Sequence, residues 1–158
     1  MKGNVQIISR LNETLIAEFT AIHQYFIHAE MEENWGYKKL SSYVRRQSID
    51  EMKHAEKLIE RILFLDGVPS MGELKPLNVG EDVKTQLEND LQVEYDAVQQ
   101  LNVAVAEARE AGDNGSRELF EKILVDEEDH VDWLEAQLQS IADMGIGIYL
   151  AQHLEPGE

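Results

Sequence analysis

Asp50-Glu51-Met52-Lys53-His54 and Asp126-Glu127-Glu128-Asp129-His130 share one pattern, a glutamate followed three residues later by a histidine. On a helix, residues three apart project from one face about a turn from each other. Each stretch therefore offers a carboxylate and an imidazole to one point in space. Each motif glutamate also lies 33 residues after another glutamate, Glu18 or Glu94, that interrupts an apolar helical stripe. Two Glu-x-x-His motifs and two single glutamates make six ligands, a set that suits a pair of metal ions.

The repetition extends beyond the ligands. A shift of 76 residues superposes Leu11 on Leu87, Leu15 on Leu91, Glu18 on Glu94, Gln24 on Gln100, Asp50 on Asp126 and Leu58 on Leu134. A long period that occurs only twice implies two similar helical hairpins paired about a pseudo-twofold axis, because a solenoid needs three or more units.

Composition sets the frame for these hairpins. The chain has 158 residues with only 3 prolines and 10 glycines, and its long stretches are rich in Leu, Ala, Glu, Gln and Ile, which favours helices over strands. An all-α protein follows, with one domain over residues 1–158, a size that buries well over half of its unfolded surface. The net charge of −17 opposes binding to nucleic acid or an anionic membrane and suits attraction of cations. Cysteine is absent, which excludes disulfides, thiolate metal sites and a rubredoxin-like iron centre. Neither a signal peptide nor a membrane-spanning stretch is visible, so the expected location is cytoplasmic.

Four long helices are expected. The first runs from about Val5 to Asn34, with Leu11, Leu15, Glu18, Ile22, Tyr25 and Ala29 facing inward, and Trp35-Gly36 ends it. The second runs from about Lys38 to Leu65, stopped by Asp66-Gly67-Val68-Pro69. The segment from Asp66 to about Asp82 concentrates Pro69, Pro76, Gly67, Gly72 and Gly80. It reads as an extended crossover, able to span a helix of roughly 40 Å at about 3.3 Å per residue. The third helix is expected near Val83 to Ala111, and the fourth from about Ser116 to Asp143, with Ser116 as its cap and Glu118 in its first turn. Met144-Gly145-Ile146-Gly147 breaks the fourth, and Ile148 to Leu154 reads as a short fifth helix packed against other subunits.

An unpaired carboxylate on an apolar stripe costs several kcal/mol of desolvation, yet Glu18, Glu51, Glu94 and Glu127 occupy matching mid-helix positions on all four helices. Carboxylate oxygens with one imidazole per metal favour iron, with manganese as runner-up. Glu51 and Glu127 are placed to bridge both ions, with Glu18 and Glu94 terminal, His54 on one metal and His130 on the other. Asp50 and Asp126 precede the motif glutamates, where each can hydrogen-bond the far nitrogen of the opposite motif's histidine and fix its tautomer. Tyr25, two turns from Glu18 on the same stripe, is a candidate electron relay as well as a core tyrosine. Trp133 reads as packing.

With these features on one chain, the sequence resembles the bacterioferritins of the ferritin-like superfamily. The ligand set is the one known from ferritin-like di-iron bundles. The resemblance implies a four-helix bundle with a long crossover between helices two and three and a short fifth helix. It further implies a di-iron centre that oxidises Fe(II) with O₂ or peroxide, and a shell of 24 subunits built from dimers that stores ferric mineral. Met52, turned about 100° from Glu51 around the helix, stands where such proteins place a haem-iron ligand from each of two subunits. The cofactor implied is haem b or a related porphyrin, non-covalent because Cys-x-x-Cys-His is missing; Met31 is the alternative residue. A reductant such as a ferredoxin is implied for iron release. One departure is Arg46, where some members carry a histidine near the inner surface. A ferritin-like oxygenase, peroxidase or manganese catalase would use the same six ligands, but no inserted segment for a substrate channel is visible.

Overall fold

The computed structural model of the protein describes residues 1–156; the last two positions of the expected 1–158 domain lie outside them. Four long helices and a short fifth follow in order: α1 (Val5–Asn34), α2 (Lys38–Phe64), α3 (Val83–Glu110), α4 (Asn114–Met144) and α5 (Ile146–Ala151). α1 packs along α2 and α3 along α4, and the two hairpins meet chiefly through α1 and α3. Among the described residues no helix is long and apolar enough to cross a membrane.

Local chemistry sets the helix ends. Asn4 caps α1, its Oδ1 accepting from the amides of Gln6 and Ile7 at 2.9 and 3.2 Å. Gly36, at φ +92°, takes the left-handed turn after Trp35. The left-handed residue after α2 is Asp66, at φ 59°, rather than Gly67. Gly67 answers a different need, since a Cβ there would meet Ile8 Cγ2 at 2.7 Å.

The ends of α4 and α5 differ from the sequence reading, α5 stopping at Ala151 rather than Leu154. α4 starts at Asn114 and is capped by Asp113, whose carboxylate accepts from the Ser116 amide at 3.0 Å and from its hydroxyl at 2.7 Å. Ser116 is therefore capped, and no acidic residue, Glu118 included, occupies the first turn. Asp113 takes the cap because its Oδ1 also accepts from Arg61 Nη2 at 2.7 Å while its Oδ2 holds the Ser116 hydroxyl. α5 begins at Ile146, since Gly145 alone, at φ +82°, makes the break. Within the chain α5 docks through Tyr149, which is buried and donates to Gln137 Oε1 at 2.8 Å, while Ile146 and Ile148 remain exposed.

The crossover from Asp66 to Asp82 is strapped to one face of α1. Asn12 bonds the carbonyl of Val68 and the amide of Ser70, and Thr20 Oγ1, Gln24 Oε1 and His28 Nε2 accept from the amides of Lys75, Asn78 and Gly80 at 3.0–3.1 Å. Residues 20, 24 and 28 are each one turn apart, so α1 meets successive amides of an extended chain. The apolar core has two parts. One joins Leu11, Leu15, Leu58, Ile62, Leu101 and Phe120, and the other Tyr25, Ala29, Val44, Leu87 and Leu134. On every long helix a glutamate falls between them.

Candidate metal centre

Glu18, Glu51, Glu94 and Glu127, one from each long helix, are at most 3% exposed and converge with His54 and His130. Each imidazole turns Nδ1 inward. His54 Nδ1 lies 3.1 Å from Glu127 Oε1, 3.5 Å from Glu51 Oε2 and 3.6 Å from Glu18 Oε2. His130 Nδ1 lies 3.0 Å from Glu51 Oε1, 3.3 Å from Glu94 Oε1 and 4.0 Å from Glu127 Oε1. Two four-residue clusters result, Glu18, Glu51, His54 and Glu127 on one side and Glu51, Glu94, Glu127 and His130 on the other, with ligand atoms within 4.8 Å of one another. Glu51 and Glu127 belong to both.

Several polar atoms at this centre lack protein partners. Glu18 Oε2, both oxygens of Glu51, Glu94 Oε2, Glu127 Oε1 and His54 Nδ1 are buried without a hydrogen bond. Buried carboxylate oxygens facing one another are costly unless cations or protons balance them. Two divalent ions would balance the four carboxylates, so the residues present fit a di-metal site.

The pKa values follow from the same crowding. Burial lowers the His54 pKa, but the carboxylates of Glu18 and Glu51 outweigh it and push the imidazole up to about 11. His130 is pushed up to about 10 by Glu51 and Glu94, again against burial. Burial and then the charge of Glu51 hold Glu18 and Glu127 well above the usual carboxylate range. Glu51 itself is held below that range, because the neighbouring Glu18 carboxyl and the His130 and His54 imidazoles outweigh its burial. Without metal the cluster holds protons.

Around this centre the other sequence candidates take distinct places. Asp126 Oδ2 accepts from His54 Nε2 at 2.8 Å, whereas Asp50 Oδ2 stands 4.0 Å from His130 Nε2. Tyr25 is fully buried and its hydroxyl donates to Glu94 Oε1. Trp133 stacks on Tyr43 with centroids 4.0 Å apart. Asp50, Asp126, Tyr43, Arg46 and Lys53 line an opening of about 560 Å³ that reaches both histidines. Met52 is 53% exposed on the outer side of α2. The sulfur of Met31 instead receives Gln86 Nε2 at 3.6 Å.

Some buried polar groups near the centre escaped the sequence reading. Asp90, one turn before Glu94, accepts from Gln24 Nε2 at 2.8 Å and His28 Nδ1 at 2.9 Å. Because His28 Nε2 accepts from Gly80, its proton sits on Nδ1. The four-residue spacing of Thr20, Gln24 and His28 was the available signal.

Comparison with known proteins decides the family. A ferritin-like domain model matches residues 8–144. The chain is 43% identical to a bacterioferritin of Mycolicibacterium paratuberculosis over 152 residues, 96% of each chain. It is 43% identical to one of Streptomyces coelicolor over 98% of this chain and 93% of that protein, and 44% identical to one of Brucella melitensis over 92% and 90%. The chain belongs to the bacterioferritin family. Bacterioferritins are ferroxidases that store iron in oligomeric shells, and this bacterioferritin accordingly oxidises Fe(II) and stores the ferric product.

Proposed function

We propose that Glu18, Glu51, His54, Glu94, Glu127 and His130 form the ferroxidase site, holding two Fe(II) ions per chain while O₂ or peroxide oxidises them. Glu51 and Glu127 bridge the two ions, Glu18 and His54 complete one set and Glu94 and His130 the other. The observation that carries this is the sharing of Glu51 and Glu127 between two otherwise separate clusters. Bound iron supplies the electrons. The protein supplies the geometry: Asp126 holds the His54 proton on Nε2 so that Nδ1 faces the metal, and Tyr25 fixes the Glu94 carboxylate. Apolar clusters flank the centre on either side, and the opening lined by Asp50 and Asp126 reaches both of its histidines.

Glu94→Ala or His130→Ala should abolish rapid oxidation of the first two Fe(II) per chain and leave assembly intact, because each removes a ligand together with the charge it balanced. Stopped-flow absorbance of the ferric product reads this. Parent-rate oxidation in both variants would refute the assignment.

The same reading assigns residues 1–158 to one domain in the cytoplasm, 24 such chains to a shell built from dimers, and a haem to each dimer between two Met52 residues. A ferredoxin-type reductant passes electrons inward for iron release. Supporting the dimer are Met52, Ile49 and Phe26, apolar side chains 53%, 45% and 51% exposed on the isolated subunit.

A further inference from the structure

Gln47 is 3% exposed, yet neither its Oε1 nor its Nε2 has a hydrogen-bond partner among the described residues. It precedes Glu51 by one turn of α2 and lines the opening that reaches His54 and His130. A primary amide carries a donor and an acceptor, and leaving both unmet in a buried place is unfavourable. The neighbouring Tyr43 hydroxyl feels the amide, but no hydrogen bond of acceptable geometry joins them. The Tyr43 ring is held instead by Trp133, stacked at 4.0 Å.

A molecule that satisfies both halves of this amide must donate and accept, must pass the opening, and would then lie beside the metal pair. Water and hydrogen peroxide meet these conditions. O₂ has no proton to donate and is a weak acceptor. We propose that Gln47 docks a small hydroxylic molecule, water or hydrogen peroxide, against the ferroxidase site, which rests on the assignment of that site above. With peroxide as the guest, two Fe(II) each lose one electron, the electron pair breaks the O–O bond, and two protons complete two waters. Gln47 is left unchanged.

The test compares the assembled parent with Gln47→Met, which keeps the length of the side chain and removes its polar atoms. Co(II) titration comes first. Two Co(II) per chain are expected in both proteins; failure of the parent to bind two would overturn the site assignment and this inference with it. Anaerobic Fe(II) is then oxidised with graded hydrogen peroxide. If peroxide is the guest, Gln47→Met raises the peroxide concentration for half-maximal rate roughly thirtyfold, as loss of two hydrogen bonds implies, and changes the O₂-driven rate less than twofold. If water is the guest, both rates fall by one factor and half-saturation stays put. Rates that match the parent with both oxidants overturn the inference. So does Tyr43→Phe reproducing the Gln47→Met effects, since the amide would then serve the tyrosine. A metal-free Gln47→Met shell that melts below the parent also overturns it, because the amide's partner would then be protein.

Discussion

Glu51 and Met52 are adjacent on α2 and face opposite surroundings. Glu51 is fully buried between two imidazoles, while Met52 points outward from the subunit. One residue turns a side chain by about 100°, so a single stretch can serve the metal pair with one face and a neighbouring subunit with the next. With Met52 as the proposed haem ligand, Met52→Ala should give a haem-free shell that still oxidises iron at the parent rate, with slower reductive release if haem carries electrons through the wall. The absorption spectrum of purified protein checks the first part, and retention of the parent haem band would place the ligand elsewhere. The residue positions that sequence made visible were those where a charge breaks an apolar stripe, as at Glu18 and Glu94. Gln47 and His28 stayed hidden. His28 had only its four-residue spacing from Gln24 and Thr20 as a signal, and Gln47 had none.

At the scale of elements, periodicity located α1 to α3 almost to the residue, because Trp35-Gly36, the break at Asp66-Gly67 and Asp82 are strong local punctuation. The start of α4 was harder, since Asp113 and Ser116 both suit a cap and only tertiary structure chooses between them. Arg61 of α2 makes that choice, donating from Nη2 to Asp113 at 2.7 Å and from Nε to Ser116 Oγ at 3.0 Å. The crossover was legible as extended chain but not as a strap, because its anchors on α1 lie more than fifty residues away. Asp113 thus serves as cap and as a tie between the hairpins. Asp113→Ala should destabilise the protein by about 1–2 kcal/mol from the cap alone, with more from the unpaired Arg61. Asp113→Ser keeps a capping oxygen without the charge and should recover the cap portion only. Denaturant midpoints of the three proteins measure this, and equal losses in both variants would refute a capping role.

The whole molecule carries a charge of −17, and the four glutamates of the metal centre place acidic groups where they are least solvated. This makes stability and metal loading respond to pH with opposite signs. In the metal-free protein His54 and His130 have pKa values of about 11 and 10, above the ordinary 6.5. Their stabilisation is complete below pH 6.5 and is lost as pH rises through those values. The raised Glu18 and Glu127 act in the same direction, since the folded protein binds protons that the unfolded chain gives up. Metal must displace these protons, because each imidazole coordinates through an unprotonated Nδ1. If both imidazole protons leave, apparent affinity rises about a hundredfold per pH unit, roughly 1.4 kcal/mol for each proton. The gain in melting temperature on loading with redox-inert Co(II) should therefore grow between pH 5.5 and pH 8, while the metal-free protein melts lower at the higher pH. Calorimetry at both pH values, with and without Co(II), tests the two halves separately. A gain that stays constant or shrinks with pH would mean that the protons and the metal do not compete for the same six side chains.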